Sequence, residues 1–212
     1  MRKIIIDTDT GSDDAVALVM ALRDPSVKVL AITTVSGNVP MEQATYNALQ
    51  TIDYAGTYKP PVYKGIAKPL LCELEDATQV HGKDGMGDVG FRAPVQKPEA
   101  EHAVDALIRI IGEGDGDIEL ITIGPLTNIA VAMLQAPEVM KKVPHITIMG
   151  GANFYSNPHT PCAEFNIMAD PEAANLVCNF GVPFTLVTLE ACQTNQAPLT
   201  DEEIERFRLA GE

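Results

Sequence analysis

The stretch Ile4-Ile5-Ile6-Asp7-Thr8-Asp9-Thr10-Gly11-Ser12-Asp13-Asp14-Ala15-Val16-Ala17 decides how this chain is read. It opens on three consecutive isoleucines, β-branched and apolar at every position, the pattern of a short strand buried on both faces. It turns polar, passes Gly11, and resumes as DDAVALVMALR over residues 13–23, stopping before Pro25. That second run is apolar almost all round, which predicts a buried helix crossing back over a sheet.

Working outward, the same alternation recurs. Residues 27–35, 118–123 and 146–149 read as further buried strands, and 183–189 as a fifth. Helices are predicted over 41–55, 102–111, 126–134 and 171–179, the last with Asp170 as N-cap and Pro171 in its first turn. Strand and helix alternate, so the expected class is α/β, an open, mainly parallel sheet flanked by helices, in a single domain over residues 1–212. Residues 65–98 break the rhythm, centred on His81-Gly82-Lys83-Asp84-Gly85-Met86-Gly87-Asp88. A loop of that length inside a compact domain is expected to face a ligand. Residues 150–161 form a second irregular stretch, and a new acidic helix begins over 200–208.

The chain has 212 residues, with 15 Lys+Arg against 29 Asp+Glu and a net charge of −14. That charge argues against a nucleic-acid partner, whose phosphates it repels. The N-terminal apolar run is three residues long and ends in Asp7, so it predicts no export signal. No apolar run approaches the ~18 residues that span a membrane. Cys72, Cys162, Cys178 and Cys192 form no CxxC pair, and reduced thiols in a cytoplasmic protein are expected.

In an open parallel sheet, ligands bind outside the carboxyl ends of the strands. Those ends run into Asp7–Asp14, Ser36-Gly37-Asn38, Gly124-Pro125-Leu126-Thr127-Asn128 and Gly150-Gly151, which should converge on one crevice. Asp7, Asp9, Asp13 and Asp14 packed together would repel one another and raise each other's pKa unless a cation compensated them. Oxygen donors without clustered Lys, Arg or His-Cys select a hard divalent ion. Helix capping accounts for Asp13 and Asp14 at most, and Asp7 is the member expected to be structural.

At this point the residues carry a resemblance. Residues 7–17 resemble the DxDxGxDDAxA signature of the inosine-uridine-preferring nucleoside hydrolases. Thr33–Asn38, His81-Gly82, Gly124–Ala130, Met149–Gly151 and Ala163-Glu164-Phe165-Asn166 resemble further family segments in the same order. The resemblance implies hydrolysis of the N-glycosidic bond of a purine or pyrimidine ribonucleoside, giving ribose and free base. It implies a calcium ion held by Asp9, Asp14 and the backbone carbonyl of Ile123, with Asp9 also the general base on the attacking water. By similarity Asp13 and Asn38 grip ribose hydroxyls, Glu164, Asn166 and Met149 line the far side of the sugar, and His81 lies near the base. His102, His145 and His159 are expected to be ordinary structural or loop histidines. A homodimer or homotetramer also follows from the resemblance. The absence of Trp makes the purine-specific branch, which stacks its base on tryptophans, a poor match.

Two departures stand out. Pro158 occupies the place of a family asparagine, so Asn157, one residue earlier, is the candidate for the 5′-hydroxyl. Nothing after Asn195 resembles the family's C-terminal His-Asp segment, so the expectation is a truncated member with weakened calcium affinity, reduced activity and exposed apolar surface. The alternatives are a non-catalytic nucleoside- or calcium-binding remnant and a magnesium-dependent phosphatase of haloacid-dehalogenase type. Gly11 stands where the latter family wants Thr or Val.

Overall fold

The computed structural model describes residues 1–152, 163–192 and 200–210. Its centre is a six-stranded sheet of β1 (Arg2–Thr8), β2 (Val27–Thr34), β3 (Val62–Lys64), β4 (Ile118–Thr122), β5 (Ile146–Met149) and β6 (Phe184–Val187). The strand order is β3-β2-β1-β4-β5-β6, and every pairing is parallel. The order reverses direction between β1 and β4, and at such a switch point the loops leaving the two strands diverge and open a crevice.

The isoleucine run works as its chemistry demands. Ile4 and Ile6 enter one apolar cluster with Leu18, Leu22, Leu49 and Ile52, while Ile5 enters the other with Leu107, Leu120, Ile129 and Met133. Adjacent side chains in a strand point to opposite faces, so one triplet knits both layers. The first layer is α1 (Ser12–Arg23) and α2 (Met41–Ala55), and the second includes α4 (Ala103–Glu113), α5 (Thr127–Gln135) and α8 (Pro171–Asn179). Shorter helices are α3 (Thr78–His81), α6 (Pro137–Met140), α7 (Phe165–Ala169) and α9 (Leu189–Cys192), and α10 (Asp201–Ala210) follows. Among the described residues no helix is long and apolar enough to cross a membrane.

Several expectations need correction. The sheet gains β3, whose three residues are too few to show a periodicity. Helix α1 is not buried all round, because Val16 and Met20, one turn apart, are exposed. The last strand is an edge with one neighbour, and its Phe184 and Leu186 are exposed rather than buried. The irregular stretch 65–98 contains α3 and is anchored at its start by Asn128, whose Oδ1 accepts from the Ile66 N–H at 2.9 Å. Asp170 does cap α8, accepting from Ala173 N at 3.1 Å, and His102 caps α4 through Val104 N.

Candidate active site

The chain leaves β1 at Thr8, so Asp9 stands at the carboxyl end of the central strand, beside the switch point. Its side chain is fully buried. One carboxylate oxygen, Oδ2, accepts from the backbone N–H of Asn38 at 2.7 Å. The other, Oδ1, is buried without any hydrogen-bond partner. Glycines from two other strand exits make room for this group. A β-carbon on Gly124 would lie 2.7 Å from Oδ1, and one on Gly37 would overlap Oδ2.

Asp14 is the third residue of α1, and its Oδ2 accepts from Gly11 N at 2.8 Å and from Asn38 Nδ2 at 3.0 Å. It therefore closes the first turn of the helix and belongs to the site at once; capping and function are not alternatives here. Asn38 ties the two acids together, its backbone on Asp9 and its amide on Asp14. Asp7 serves the scaffold instead. Its Oδ1 accepts from Thr33 Oγ1 at 2.5 Å and from Asn128 Nδ2 at 2.8 Å, which braces β1 against β2 and α5.

Burial pushes the Asp7 carboxyl up to about 7. Asp9 and Asp14 are also pushed upward, by burial first, and for Asp14 next by the charge of Asp9. Mutual repulsion was expected to lead; loss of hydration outranks it because these carboxylates are shut away from water. Glu164 is raised by burial too, against hydrogen bonds from Gly151, Asn166 and Ile167 N–H groups that favour its ionised form.

Above the acids lies a cavity of about 910 Å³. Asp13, Asp14, Asn38 and Ile123 line it from the exits of β1, β2 and β4. Met149, at the end of β5, and Glu164 and Asn166, at the start of α7, line it as well. His81, the last residue of α3, completes the set drawn from residues 65–98. Asp9 is not on the cavity surface but enclosed beside it. Nearly all the residues singled out from sequence thus meet in one place; Asn157 lies outside the described residues. Phe165, Met168 and the acidic pair Glu75 and Asp76 also line the cavity and were not anticipated. Glu75 and Asp76 sit in an aperiodic stretch where only tertiary contacts give them a position.

A cation fits the donors. The orphaned Asp9 Oδ1 lacks a partner, and two adjacent buried carboxylates resist ionisation. The Ile123 carbonyl accepts from Asn166 Nδ2 at 3.1 Å and keeps a second lone pair. Among the described residues no group of three or more His, Cys, Asp or Glu side chains could hold a metal; the donors expected from the sequence, two carboxylates and a carbonyl, are all oxygen, the chemistry that suits a hard divalent ion.

Comparison with known proteins follows the same lines. The sequence profile of the family described as inosine-uridine preferring nucleoside hydrolase matches residues 4–212. An uncharacterized protein of Schizosaccharomyces pombe is 43% identical over 97% of this chain, and a pyrimidine-specific ribonucleoside hydrolase of Escherichia coli is 40% identical over 99% of it. The chain spans 66% of the length of each of these relatives, just under two thirds. Among solved structures, a purine-preferring ribonucleoside hydrolase from Gardnerella vaginalis superposes with a TM-score of 0.91 at 35% identity, covering 99% of this chain and 67% of that one. A plant nucleoside hydrolase superposes with a TM-score of 0.84 at 41% identity, covering 89% of this chain and 60% of that one.

Proposed function

The chain belongs to the inosine-uridine preferring nucleoside hydrolase family, and from that premise we propose that it hydrolyses the N-glycosidic bond of ribonucleosides, purine or pyrimidine, to ribose and free base. The observation that carries this reading is the orphaned Oδ1 of Asp9, buried at the switch point beside the cavity. An unpartnered buried carboxylate oxygen is costly; Asp7 Oδ2 is unpartnered as well, and what sets Asp9 apart is its place at the strand exit, tied through Asn38 to Asp14 on the cavity wall.

Asp9, Asp14 and the Ile123 carbonyl would hold Ca²⁺, which when bound supplies Lewis-acid activation of a water molecule and neutralises the crowded carboxylates. Asp9 takes the proton from the attacking water, with its Oδ2 held by Asn38 N–H and its Oδ1 left without a hydrogen-bond partner. Asp13 and Asn38 hold ribose hydroxyls, and Glu164, Asn166 and Met149 bound the other side of the sugar. As the bond to the base breaks, positive charge grows on the ribose ring. The carboxylates of Asp14 and Glu164 face that charge from positions held by hydrogen bonds, so they stabilise the transition state more than the neutral substrate. His81 is placed for the base.

A cytoplasmic setting accords with the free thiols of Cys72 and Cys178, and a homodimer or homotetramer is the assembly proposed. The test is ribose release from uridine, cytidine and inosine, with calcium and with a chelator. Metal-dependent release that Asp9→Ala abolishes is the expected result. Nucleoside binding measured by calorimetry without any ribose release would replace hydrolysis with a binding role.

A further inference from the structure

Ser12 is the first residue of α1, and its Oγ lies 3.2 Å from Nδ1 of His81. Asp13 Oδ1 is farther from the same nitrogen, at 3.8 Å. Gly11 allows the ring to seat so closely, since a β-carbon there would sit 3.2 Å from Nδ1. The His81 backbone is held as well: its N–H donates to Ala77 O at 3.1 Å and its carbonyl accepts from Gly87 N at 2.8 Å. The Nδ1 edge of the ring is therefore committed to the start of α1. Among the described residues Nε2 makes no hydrogen bond, and His81 lines the cavity.

A neutral imidazole carries one proton, and the partner of one ring nitrogen decides what the other offers. A carboxylate only accepts, so Asp13 alone would draw the proton to Nδ1 and leave Nε2 a bare acceptor. A serine hydroxyl can donate as well as accept, and at 3.2 Å Ser12 is within hydrogen-bond range where Asp13 is not, so of the two only Ser12 allows the proton to sit on Nε2. We propose that Ser12 is a positioning residue: its hydroxyl donates to Nδ1 of His81, sets the ring proton on Nε2, and so presents an N–H donor to the carbonyl or ring-nitrogen acceptors of a nucleobase in the cavity. This rests on the nucleoside reading of the cavity given above.

The experiment has two arms. In the first, the side-chain nitrogens of histidine are followed by NMR in the ¹⁵N-labelled chain, above the ordinary imidazole titration range and without substrate. The His81 signals are assigned by their loss in His81→Ala. The Nε2–H tautomer is expected in the parent and in Ser12→Thr, with a shift toward Nδ1–H in Ser12→Ala. The same tautomer in all three overturns the proposal. Because Ser12 is exposed at a helix start, Ser12→Ala is expected to fold, and the unchanged signals of the other histidines report on that. In the second arm, Ser12→Ala lowers kcat/KM for uridine about tenfold, yet changes it less than about twofold when His81 is already alanine. An equal loss in both backgrounds overturns the coupling. Absence of ribose release from every variant, the parent included, counts against hydrolysis, while the first arm still decides the role of Ser12.

Discussion

Gly37 and Asp9 meet so closely across the ends of β1 and β2 that a β-carbon on Gly37 would lie 2.8 Å from Asp9 Cγ. The same β-carbon would sit 2.8 Å from Cδ of Pro125, so it has no free direction in which to move. Gly37→Ala must therefore displace the Asp9 carboxylate or the chain that carries Asn38. A misplacement of about 1 Å at a catalytic group costs about 10²-fold in rate. The expected outcome is a loss of that order in kcat together with about 1–3 kcal/mol of stability from overpacking. Normal kcat in Gly37→Ala would show that Asp9 is not held where it acts.

Asp9 and Asp14 should separate on substitution, although both are buried. Asp9→Asn keeps the shape and removes the proposed base, so ribose release should fall ~10²–10⁴-fold with little change in stability. Asp14→Ala removes a cap and an Asn38 partner as well as a charge. It should weaken calcium binding and also cost about 1 kcal/mol of stability. Calorimetric calcium titration and urea unfolding of the two variants distinguish the roles; identical stability losses would contradict them.

Four carboxyls raised by burial, those of Asp7, Asp9, Asp14 and Glu164, make stability depend on pH. In the unfolded chain Asp7 titrates near 3.8, and burial raises it to about 7 in the folded one; Asp9 and Asp14 move the same way. Between those values the folded chain binds more protons than the unfolded, so without calcium its stability falls as pH rises. Saturating calcium offsets the charge of Asp9 and Asp14 and should flatten the fall. Melting temperatures in chelator and in calcium test this, with Asp7→Asn removing one titrating group and reducing the slope. A chelated chain whose melting temperature rises across the same window would contradict the assignment.

The legible parts were those written contiguously. Ile4–Ile6 declares a strand buried on both faces, and four acids within eight residues declare the site, because neither needs a distant partner to be recognised. Segments shorter than a full period were missed: Val62–Lys64 becomes a strand only because β2 pairs with it. Burial was misjudged where composition and position disagree. Val16 and Met20 are as apolar as Leu18 and Leu22, yet only the latter pair faces the sheet. At the site, residue identities are readable in the sequence but burial is not, and it is burial more than repulsion that raises Asp9. The double role of Asp14 and the contact of Ser12 with His81 depend on distances no spacing encodes.

Asp170 joins α5, α8 and the segment at Leu70, which lies 100 residues before it in the sequence. Its Oδ2 accepts from Thr127 Oγ1 at 2.6 Å and from Leu70 N at 3.0 Å, and its Oδ1 caps α8 through Ala173 N at 3.1 Å. The side chain is fully buried, near the first turns of both α5 and α8, where helix dipoles favour a negative group. Asp170→Ala would leave those donors without a partner, a larger penalty than loss of a cap alone. About 3 kcal/mol is expected, against roughly 1 kcal/mol for an ordinary N-cap. Asp170→Asn should rescue it only in part, because in either orientation the amide nitrogen meets a backbone N–H donor, Leu70 N at the Oδ2 position or Ala173 N at the Oδ1 position. Urea unfolding of both variants measures the loss. A loss below about 1 kcal/mol would mean that water satisfies these groups, and that Asp170 does not hold residues 65–98 against the helical layer.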